Sequence, residues 1–340
     1  MYTSSGMTKL TAVFEQAAAG APESGTSEPA PANHVFRAQQ IGLRVPRQPA
    51  HGVVHSVFRS ACNIELDGGG LITLLASSAS NLPHGVRCES AISWNLEPGL
   101  RSGQAVVATA QILDIPGASV VVDLTRAALW SGRLTPCNID ARSTRALMAL
   151  RALIVADAQD GFAPILLRRS TAGSPLLQAM AQRLDSCLPR LATATATLDA
   201  TAAAQALLPL IGLGPGLTPS GDDFIVGYLA ATWSRYQREP RFGPFRNRLA
   251  SELERLTTRT NAIGRRFILD AVDGEFSERL VDVVRSIGHR GGDANACVAR
   301  ALRTGHSSGA DCLVGLLYGF APHMALRVDS VARVERADAL

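Results

Sequence analysis

Two patterns of hydrophobic and polar positions divide the chain. From His34 to about Arg133, short apolar runs are broken by glycine- and proline-containing turns at residues 67–70 and 115–117. Strands are predicted over residues 52–59, 63–66, 71–76, 105–112 and 119–124. Because no helical pattern separates most of these runs, we expect them to pair as hairpins in an antiparallel sheet or small barrel.

After Asn138 the apolar residues recur at helical spacing. Helices are predicted over residues 141–157, 174–188, 198–208, 223–236, 245–256, 262–272, 277–287, 294–303 and 310–320. The expected fold class is therefore α+β, with a β-rich domain over residues 34–138 and a mostly α-helical domain over residues 139–326. Residues 1–33 lack apolar periodicity, which predicts a mobile arm, and residues 327–340 are assigned to a tail.

Composition and charge exclude several classes of function. The formal charge of +4 is spread thinly, without a basic run or interleaved aromatic residues, which argues against a nucleic-acid partner. We find no secretory signal pattern and no apolar run of the roughly 18 residues needed to span a bilayer, so we expect a cytoplasmic protein without a membrane segment. The six cysteines form no C-x-x-C pair, which argues against a zinc finger or a disulfide framework.

The basic residues are arginines, with Lys9 as the single lysine. Lys9 lies in the predicted arm, where no pocket would hold it, so a Schiff-base lysine or the lysine of a phosphate-binding P-loop is excluded. An anionic substrate must therefore be held by arginine, by backbone N–H groups or by a metal.

Two glycine-rich turns each lead directly into an apolar helix. Residues 212–223 read GLGPGLTPSGDD, and residues 305–311 read GHSSGAD. A loop that delivers a helix N-terminus presents unpaired N–H groups and the positive end of the helix dipole, which suits phosphate or carboxylate. The candidate anion-binding residues in these turns are Gly214, Gly216, Thr218, Ser220, Gly221, Asp222, Ser307, Ser308 and Gly309.

The two turns are related by an internal repeat. Residues 220–229 and 308–317 share the pattern S-G-x-D-x-[IL]-V-G-x-L. We expect the two helix starts to point at one shared ligand, with the small residues Gly227 and Gly315 letting the helices cross closely. The alternative is structural: Ser220 and Ser308 would be N-caps, and the aspartates would sit in the first turn because the dipole favours them there.

Proton transfer and metal binding remain open possibilities at these turns. His306 is a candidate proton shuttle, and Asp223 and Asp311 are candidate catalytic carboxylates, although a local structural hydrogen bond would also explain His306. Clustered carboxylates suit Mg²⁺ or Mn²⁺, so Asp222 together with Asp223 and Asp311 is the candidate metal set, if there is one. No cofactor is certain.

The segment T-R-T-N, residues 258–261, is dense in hydrogen-bond donors. Arg259 and Asn261 are expected to face the same pocket as the glycine-rich turns. A plain polar loop between helices is the alternative.

At these motifs the sequence resembles the AllH family over about residues 34–326. The shared marks are the motif GLGPGLTPSGDDF at residues 212–224, the T-R-T-N segment and the motif GHSSGAD at residues 305–311. One position departs from the expected pattern: Gly264 stands where a serine is expected. A side-chain contribution from that position is therefore in doubt.

The resemblance implies a subunit of oxamate carbamoyltransferase in purine and allantoin breakdown, working with an FdrA-like and an AllG-like subunit. The implied reaction is phosphorolysis of oxalurate to oxamate and carbamoyl phosphate. Two alternatives stay open: a subunit of an acyl-phosphate or acyl-CoA-linked ligase, and a non-catalytic scaffold that binds a small anion. Because the sequence offers no obvious nucleophile, we expect little activity from this chain alone.

Overall fold

The computed structural model describes residues 34–325, except for residues 91, 96–98, 169–173 and 289–292. The predictions of an arm over residues 1–33, which includes Lys9, and of a tail over residues 327–340 concern residues outside these ranges. The domain boundary predicted at residues 138 and 139 stays a prediction.

Nine strands form the N-terminal part of the described chain. They are β1 His34–Gly42, β2 Ala50–Val57, β3 Ala61–Leu66, β4 Gly70–Leu75, β5 Gly85–Cys88, β6 Ala105–Ala108, β7 Ile112–Ile115, β8 Val120–Asp123 and β9 Ala128–Trp130. The sheet order is β5-β4-β3-β2-β6-β7-β8-β1-β9, and an additional pairing of β5 with β1 closes the first eight strands into a barrel. The predicted β-rich region, as a sheet or small barrel followed by a helical region, is confirmed.

The sheet is mixed rather than antiparallel as expected, because three of its nine strand pairs are parallel. Strand β1 runs parallel to β8 and to β9, and β4 runs parallel to β5. The remaining six pairs are antiparallel. Alternating residues such as Cys62, Ile64 and Leu66 of β3 point into a closed apolar core.

One predicted strand is two strands in the structure. The run over residues 105–112 is split into β6 and β7 by a tight turn after Ala108. The Thr109 hydroxyl accepts hydrogen bonds from the N–H groups of Gln111 and Ile112, at 3.2 and 3.0 Å. This side chain makes the turn without glycine or proline, which is why the composition gave no signal for it.

Ten α-helices follow the barrel in the described residues. They are α1 Ala141–Asp157, α2 Pro175–Thr197, α3 Ala200–Leu207, α4 Ser220–Tyr236, α5 Phe242–Leu256, α6 Ala262–Val272, α7 Glu278–Gly288, α8 Ala294–Leu302, α9 Ser308–Phe320 and α10 Pro322–Ala325. A short π-helical turn, Pro164–Arg168, precedes α2. Helix α4 is buried along almost its whole length, because its neighbours cover every face.

Helix α2 extends nine residues beyond its predicted end at residue 188, through Pro189 to Thr197. A proline removes one backbone N–H but does not prevent a helix whose other residues are well packed. Leu188 and Leu191, on either side of Pro189, are fully buried in the helical core. Packing therefore overrides the local break signal.

Polar contacts join the barrel to the helices. The backbone N–H of Asn81 donates to Glu278 of α7 at 2.8 Å, and the N–H of Gly132 donates to Glu275 at 2.7 Å. His84 Nδ1 lies 2.6 Å from Asp270 of α6. In the part of the chain that the structure describes, no helix has the length and apolar character needed to cross a membrane.

Candidate functional site

Helices α4 and α9 cross at two glycines. A Cβ at Gly227 would lie 1.8 Å from the carbonyl oxygen of Cys312, and a Cβ at Gly315 would lie 2.0 Å from that of Phe224. These four residues occupy equivalent positions in the two repeats, so the contact is reciprocal. The prediction that Gly227 and Gly315 let the helices approach closely is confirmed.

The crossing brings the two glycine-rich turns into contact. The hydroxyl oxygens of Thr218 and Ser308 lie 2.6 Å apart. Hydrogen bonding from Ser308 and Thr218 reaches Asp223, and hydrogen bonding from Ser220 reaches Asp311. Each repeat therefore places its serine against the aspartate of the other repeat.

Asp311 is held from a further side by residues 160–162, a segment that the sequence reasoning missed. The N–H of Phe162 donates to Asp311 Oδ1 at 2.6 Å. Gly161 has φ +73°, and a Cβ there would lie 2.2 Å from the same oxygen. Only glycine fits this approach, and the Asp160-Gly161 dipeptide is the turn signal that could have pointed to it.

We call Asp223 and Asp311 the carboxyl pair. Asp223 is 8% exposed and Asp311 is fully buried. Burial, followed by the neighbouring charge of Asp311, raises the pKa of Asp223 well above its ordinary value. Burial likewise raises the pKa of Asp311 to about 6. The Oδ2 atom of each carboxyl is buried and has no hydrogen-bond partner among the described residues.

Ser220 and Ser308 do not cap their helices, which corrects the structural alternative drawn from the sequence. They are the first residues of α4 and α9, whose N-cap positions are Pro219 and Ser307, and neither N-cap residue makes a side-chain capping bond. The physical reason is the crossing, since each serine hydroxyl is directed to the aspartate of the other repeat.

Asp222 lies in a different environment from the carboxyl pair. Its carboxylate accepts a hydrogen bond from the N–H of Gly212 at 2.8 Å and another from the Thr260 hydroxyl. Burial raises the pKa of Asp222, and these two bonds oppose that rise. A Cβ at Gly264 would lie 2.2 Å from Asp222 Oδ2, so the carboxylate occupies the space that the expected serine would need.

The T-R-T-N segment lies against the first turn, through Thr260. The Asn261 side chain caps α6 by accepting the N–H of Gly264 at 2.9 Å. The Arg259 side chain is exposed, and its backbone oxygen faces Gly212. Thr260 was missed, although it belongs to a segment that the sequence had marked.

Two glycines of the turns have their N–H groups engaged within the protein. Gly221 donates to Leu213, and Gly309 donates to Thr304. A Cβ at either glycine would meet a backbone oxygen, at 1.8 Å and 2.0 Å respectively. Gly216, by contrast, is exposed and has open space around it.

His306 lies at the rim of a cleft of about 180 Å³ beside the start of α9. Its Nε2 is 2.9 Å from Asp160 Oδ2, and the two side chains are 86% and 56% exposed. Ser307, Asp157 and Ala310 also line this cleft. His306 therefore belongs to the second turn but lies at the surface, whereas the carboxyl pair is buried.

The candidate metal set is only partly brought together. Asp223 and Asp311 are neighbours, whereas Asp222 is bonded to Gly212 and Thr260. Within the described ranges, no group of three or more His, Cys, Asp or Glu residues is placed to hold a metal ion. Binding of Mg²⁺ or Mn²⁺ stays a prediction.

Comparison with known proteins gives two matches that include both halves of the described chain. A model described as the AllH family N-terminal domain matches residues 36–129, which contain the barrel. A model described as oxamate carbamoyltransferase subunit AllH matches residues 210–320, which contain both glycine-rich turns. No solved structure matches the chain. The chain belongs to the AllH family, which is described as a subunit of oxamate carbamoyltransferase.

Proposed function

We propose that this chain is a subunit of a cytoplasmic oxamate carbamoyltransferase in purine and allantoin breakdown, assembled with an FdrA-like and an AllG-like subunit. The reaction would convert oxalurate and phosphate into oxamate and carbamoyl phosphate. Family membership supports the enzyme class. The substrate, the pathway, the cellular location and the identity of the partners are parts of the proposal.

The site that we propose for a small anion lies where the two turns meet. The contact between Thr218 and Ser308, at 2.6 Å, carries this part of the proposal, because it joins two helix starts that are separate in sequence. Helix N-termini favour phosphate and carboxylate groups. Thr218 and Ser308 are partly exposed residues, whereas Ser220 is buried.

In the proposed reaction, a phosphate oxygen forms a bond to the carbamoyl carbon of oxalurate. The bond from that carbon to the oxamate nitrogen then breaks. The attacking HPO₄²⁻ loses a proton and the leaving nitrogen gains one, so a group that accepts and returns a proton is required. Asp223, Asp311 and His306 are the candidates for that role on this chain.

Reconstitution tests the proposed function. The chain is co-expressed with its FdrA-like and AllG-like partners, and carbamoyl phosphate formed from oxalurate and phosphate is measured through carbamate kinase and ATP. We expect turnover by the complex, little by this chain alone, and a large loss with Ser308→Ala. Asp199→Asn is the control, because Asp199 only caps α3 and should leave turnover unchanged. A complex without phosphate-dependent turnover of oxalurate would refute the substrate.

A scaffold role is the second candidate, and the burial of polar residues at the helix crossing favours it. Asp311 and Ser220 are 0% and 2% exposed, so they could serve only to hold the crossing of α4 and α9. In that case Thr218→Val and Ser308→Ala would leave the activity of the complex intact. Assembly of the complex, measured by size-exclusion chromatography, separates loss of catalysis from loss of the scaffold.

A further inference from the structure

Arg279, the second residue of α7, is held at two of its nitrogens by hydroxyl groups. Its Nε donates to Ser80 Oγ at 2.9 Å, and its Nη1 donates to Thr304 Oγ1 at 2.7 Å. Ser80 lies between β4 and β5, and Thr304 directly precedes the second glycine-rich turn. Because the guanidinium is a rigid planar fork, these two bonds fix its orientation beside that turn.

The positive charge of Arg279 is not balanced by a carboxylate of the described residues. A hydroxyl accepts a hydrogen bond without adding negative charge, and within the described ranges no carboxylate forms an ion pair with Arg279. The carboxylate of Glu278 is engaged elsewhere, because its Oε2 accepts the N–H of Asn81 at 2.8 Å and lies 3.8 Å from Arg87. The charge of Arg279 is therefore available to a ligand.

Two more arginines add positive charge to this surface. Arg300 and Arg303 are three residues apart at the end of α8, so they share one side of it. Arg300 lies 3.6 Å from Asp282, which follows Arg279 by three residues on α7. Burial, followed by the neighbouring charges of Arg303 and Arg300, lowers the pKa of the Arg279 guanidinium. A bound anion would relieve the repulsion among these like charges.

The free edge of the guanidinium indicates which kind of anion fits. Ser80 and Thr304 occupy the Nε donor and one donor of Nη1. The second donor of Nη1 and both donors of Nη2 remain, and they point along the outer edge of the fork. Two parallel N–H groups of this kind match two oxygens of a phosphate or a carboxylate.

We propose that Arg279 binds an oxyanion, a phosphate or the carboxylate of a small acid, at the edge of the second glycine-rich turn. The inference rests on the proposed function and adds a substrate-binding arginine to it. The sequence pointed to Arg259 for such a role, but the Arg259 side chain is exposed and its segment lies against the first turn. Thr304 joins Arg279 to the start of α9, because its carbonyl oxygen accepts the N–H of Gly309 at 3.0 Å.

Calorimetric titration of the full chain tests the site without turnover. Inorganic phosphate and oxamate are titrated separately, which distinguishes the two sources of the oxyanion, and at low ionic strength, because salt screens exposed charges. We expect at least one of them to bind, and Arg279→Gln to raise its Kd at least about tenfold, the loss of about 1.4 kcal/mol. Arg285→Gln, which removes an exposed arginine of the same helix, is the matched control and should leave Kd unchanged. A wild-type chain that binds neither anion, or an unchanged Kd in Arg279→Gln, would overturn the proposal.

A second pair of variants guards against a failure of Arg279→Gln to fold. Thr304 is exposed, so the fold should tolerate a polar side chain there. Thr304→Asp places a carboxylate beside Arg279, which should neutralise the guanidinium and abolish anion binding. Thr304→Asn has the same shape without the charge and should retain binding. Equal affinity in these two variants, with equal melting temperatures, would contradict the site.

The reconstituted complex separates this inference from the proposed function. In a complex that turns over oxalurate, Arg279→Gln should raise the KM of the anion that the calorimetry identifies, whereas Arg285→Gln should not. A wild-type complex without turnover refutes the proposed function, while the titrations of the chain alone still decide the anion site. If Arg279→Gln prevents assembly in size-exclusion chromatography but leaves the Kd of both anions unchanged, the arginine pairs with an acidic group of a partner subunit, and the inference is wrong.

Discussion

Two buried aspartate sites in the helical half differ in how their charge is balanced. At the first, which we call the junction cluster, Asp270 of α6 lies beside His84 Nδ1 at 2.6 Å, Arg44 at 3.6 Å and Arg266. Asp270 is 1% exposed, so it is as inaccessible as Asp311. The junction cluster satisfies its carboxylate with cationic and imidazole partners from α6 and from the barrel.

The carboxyl pair has the same residue type and the same burial but lacks such partners in the described chain. An ionised group that is buried with its partners is typical of a structural ion pair. A buried acid without them either stays neutral or binds a ligand. The comparison therefore separates a carboxylate held in an ion-pair network from a carboxyl pair that we propose is available for chemistry.

The largest expected effect on the free energy of unfolding is at the junction cluster. Asp270→Asn leaves Arg266 and His84 without their carboxylate, and breaking a buried pair in this way costs about 3 to 5 kcal/mol of unfolding free energy. Asp223→Asn should cost much less, because no cation of the described ranges loses its partner there. Chemical denaturation of both variants measures the difference. An equal loss in the two variants would abolish the distinction.

The next effect is a pH dependence of stability that comes from Asp311. Its pKa is raised to about 6 in the folded chain, so between about pH 4 and pH 6 the folded chain binds more protons than the unfolded chain. This contribution to stability is complete below the unfolded pKa and is lost as the pH rises through the folded pKa, by about 3 kcal/mol in total. We expect Asp311→Asn to remove that loss.

Unfolding free energies of the wild type and Asp311→Asn, measured between about pH 4 and pH 7, check this sign. Asp140 offers the opposite control. Hydrogen bonds from Ser143 hold the pKa of this N-cap carboxylate below its usual range, so its contribution is present at higher pH and is lost as the pH falls. A difference between wild type and Asp311→Asn that stays constant with pH would contradict a raised pKa at Asp311.

A smaller effect is expected where the crossing holds the pair in place. Gly227→Ala places a Cβ against the Cys312 carbonyl oxygen, and overpacking of this kind costs about 1 to 3 kcal/mol. Gly243→Ala is the matched control, because a Cβ there meets nothing within 4 Å. It should be neutral or stabilising by up to about 1 kcal/mol. Thermal melting of both variants measures the difference. A melting temperature of Gly227→Ala equal to that of the control would contradict the close crossing of α4 and α9.

The smallest effect is expected at the surface. His306 and Asp160 form an exposed pair, and such pairs contribute about 0 to 1 kcal/mol. His306→Ala should therefore barely change the melting temperature. An equally small change in turnover would indicate that proton transfer takes place at the carboxyl pair. A large loss of kcat would indicate instead that it takes place in the cleft at His306.

Much of the fold follows from local patterns. Helix α6 has the bounds that the apolar spacing predicts, and α4 and α9 differ from their predicted starts by only two or three residues. Strands β1, β5 and β9 were not predicted. Two of them complete the barrel through pairings of β1 with β8 and β5, residues that are distant in sequence. A local pattern reports burial and backbone preference, but it carries no information about which distant strand will be the neighbour.

From the sequence alone, the repeated motif predicted that the two helix starts, with their glycines, serines and aspartates, lie side by side. The spacing of the motif fixes which residues share a helix turn and where small residues let helices cross. The tertiary structure alone decided the partners of each group. It turned Ser220 and Ser308 away from their own helix ends and brought Phe162 to Asp311. Among the described residues, it gave cations to Asp270 but not to the carboxyl pair. The reason is physical: the charge state of a buried acid depends on what surrounds it within a few ångströms, and those neighbours come from segments that lie far apart in the chain.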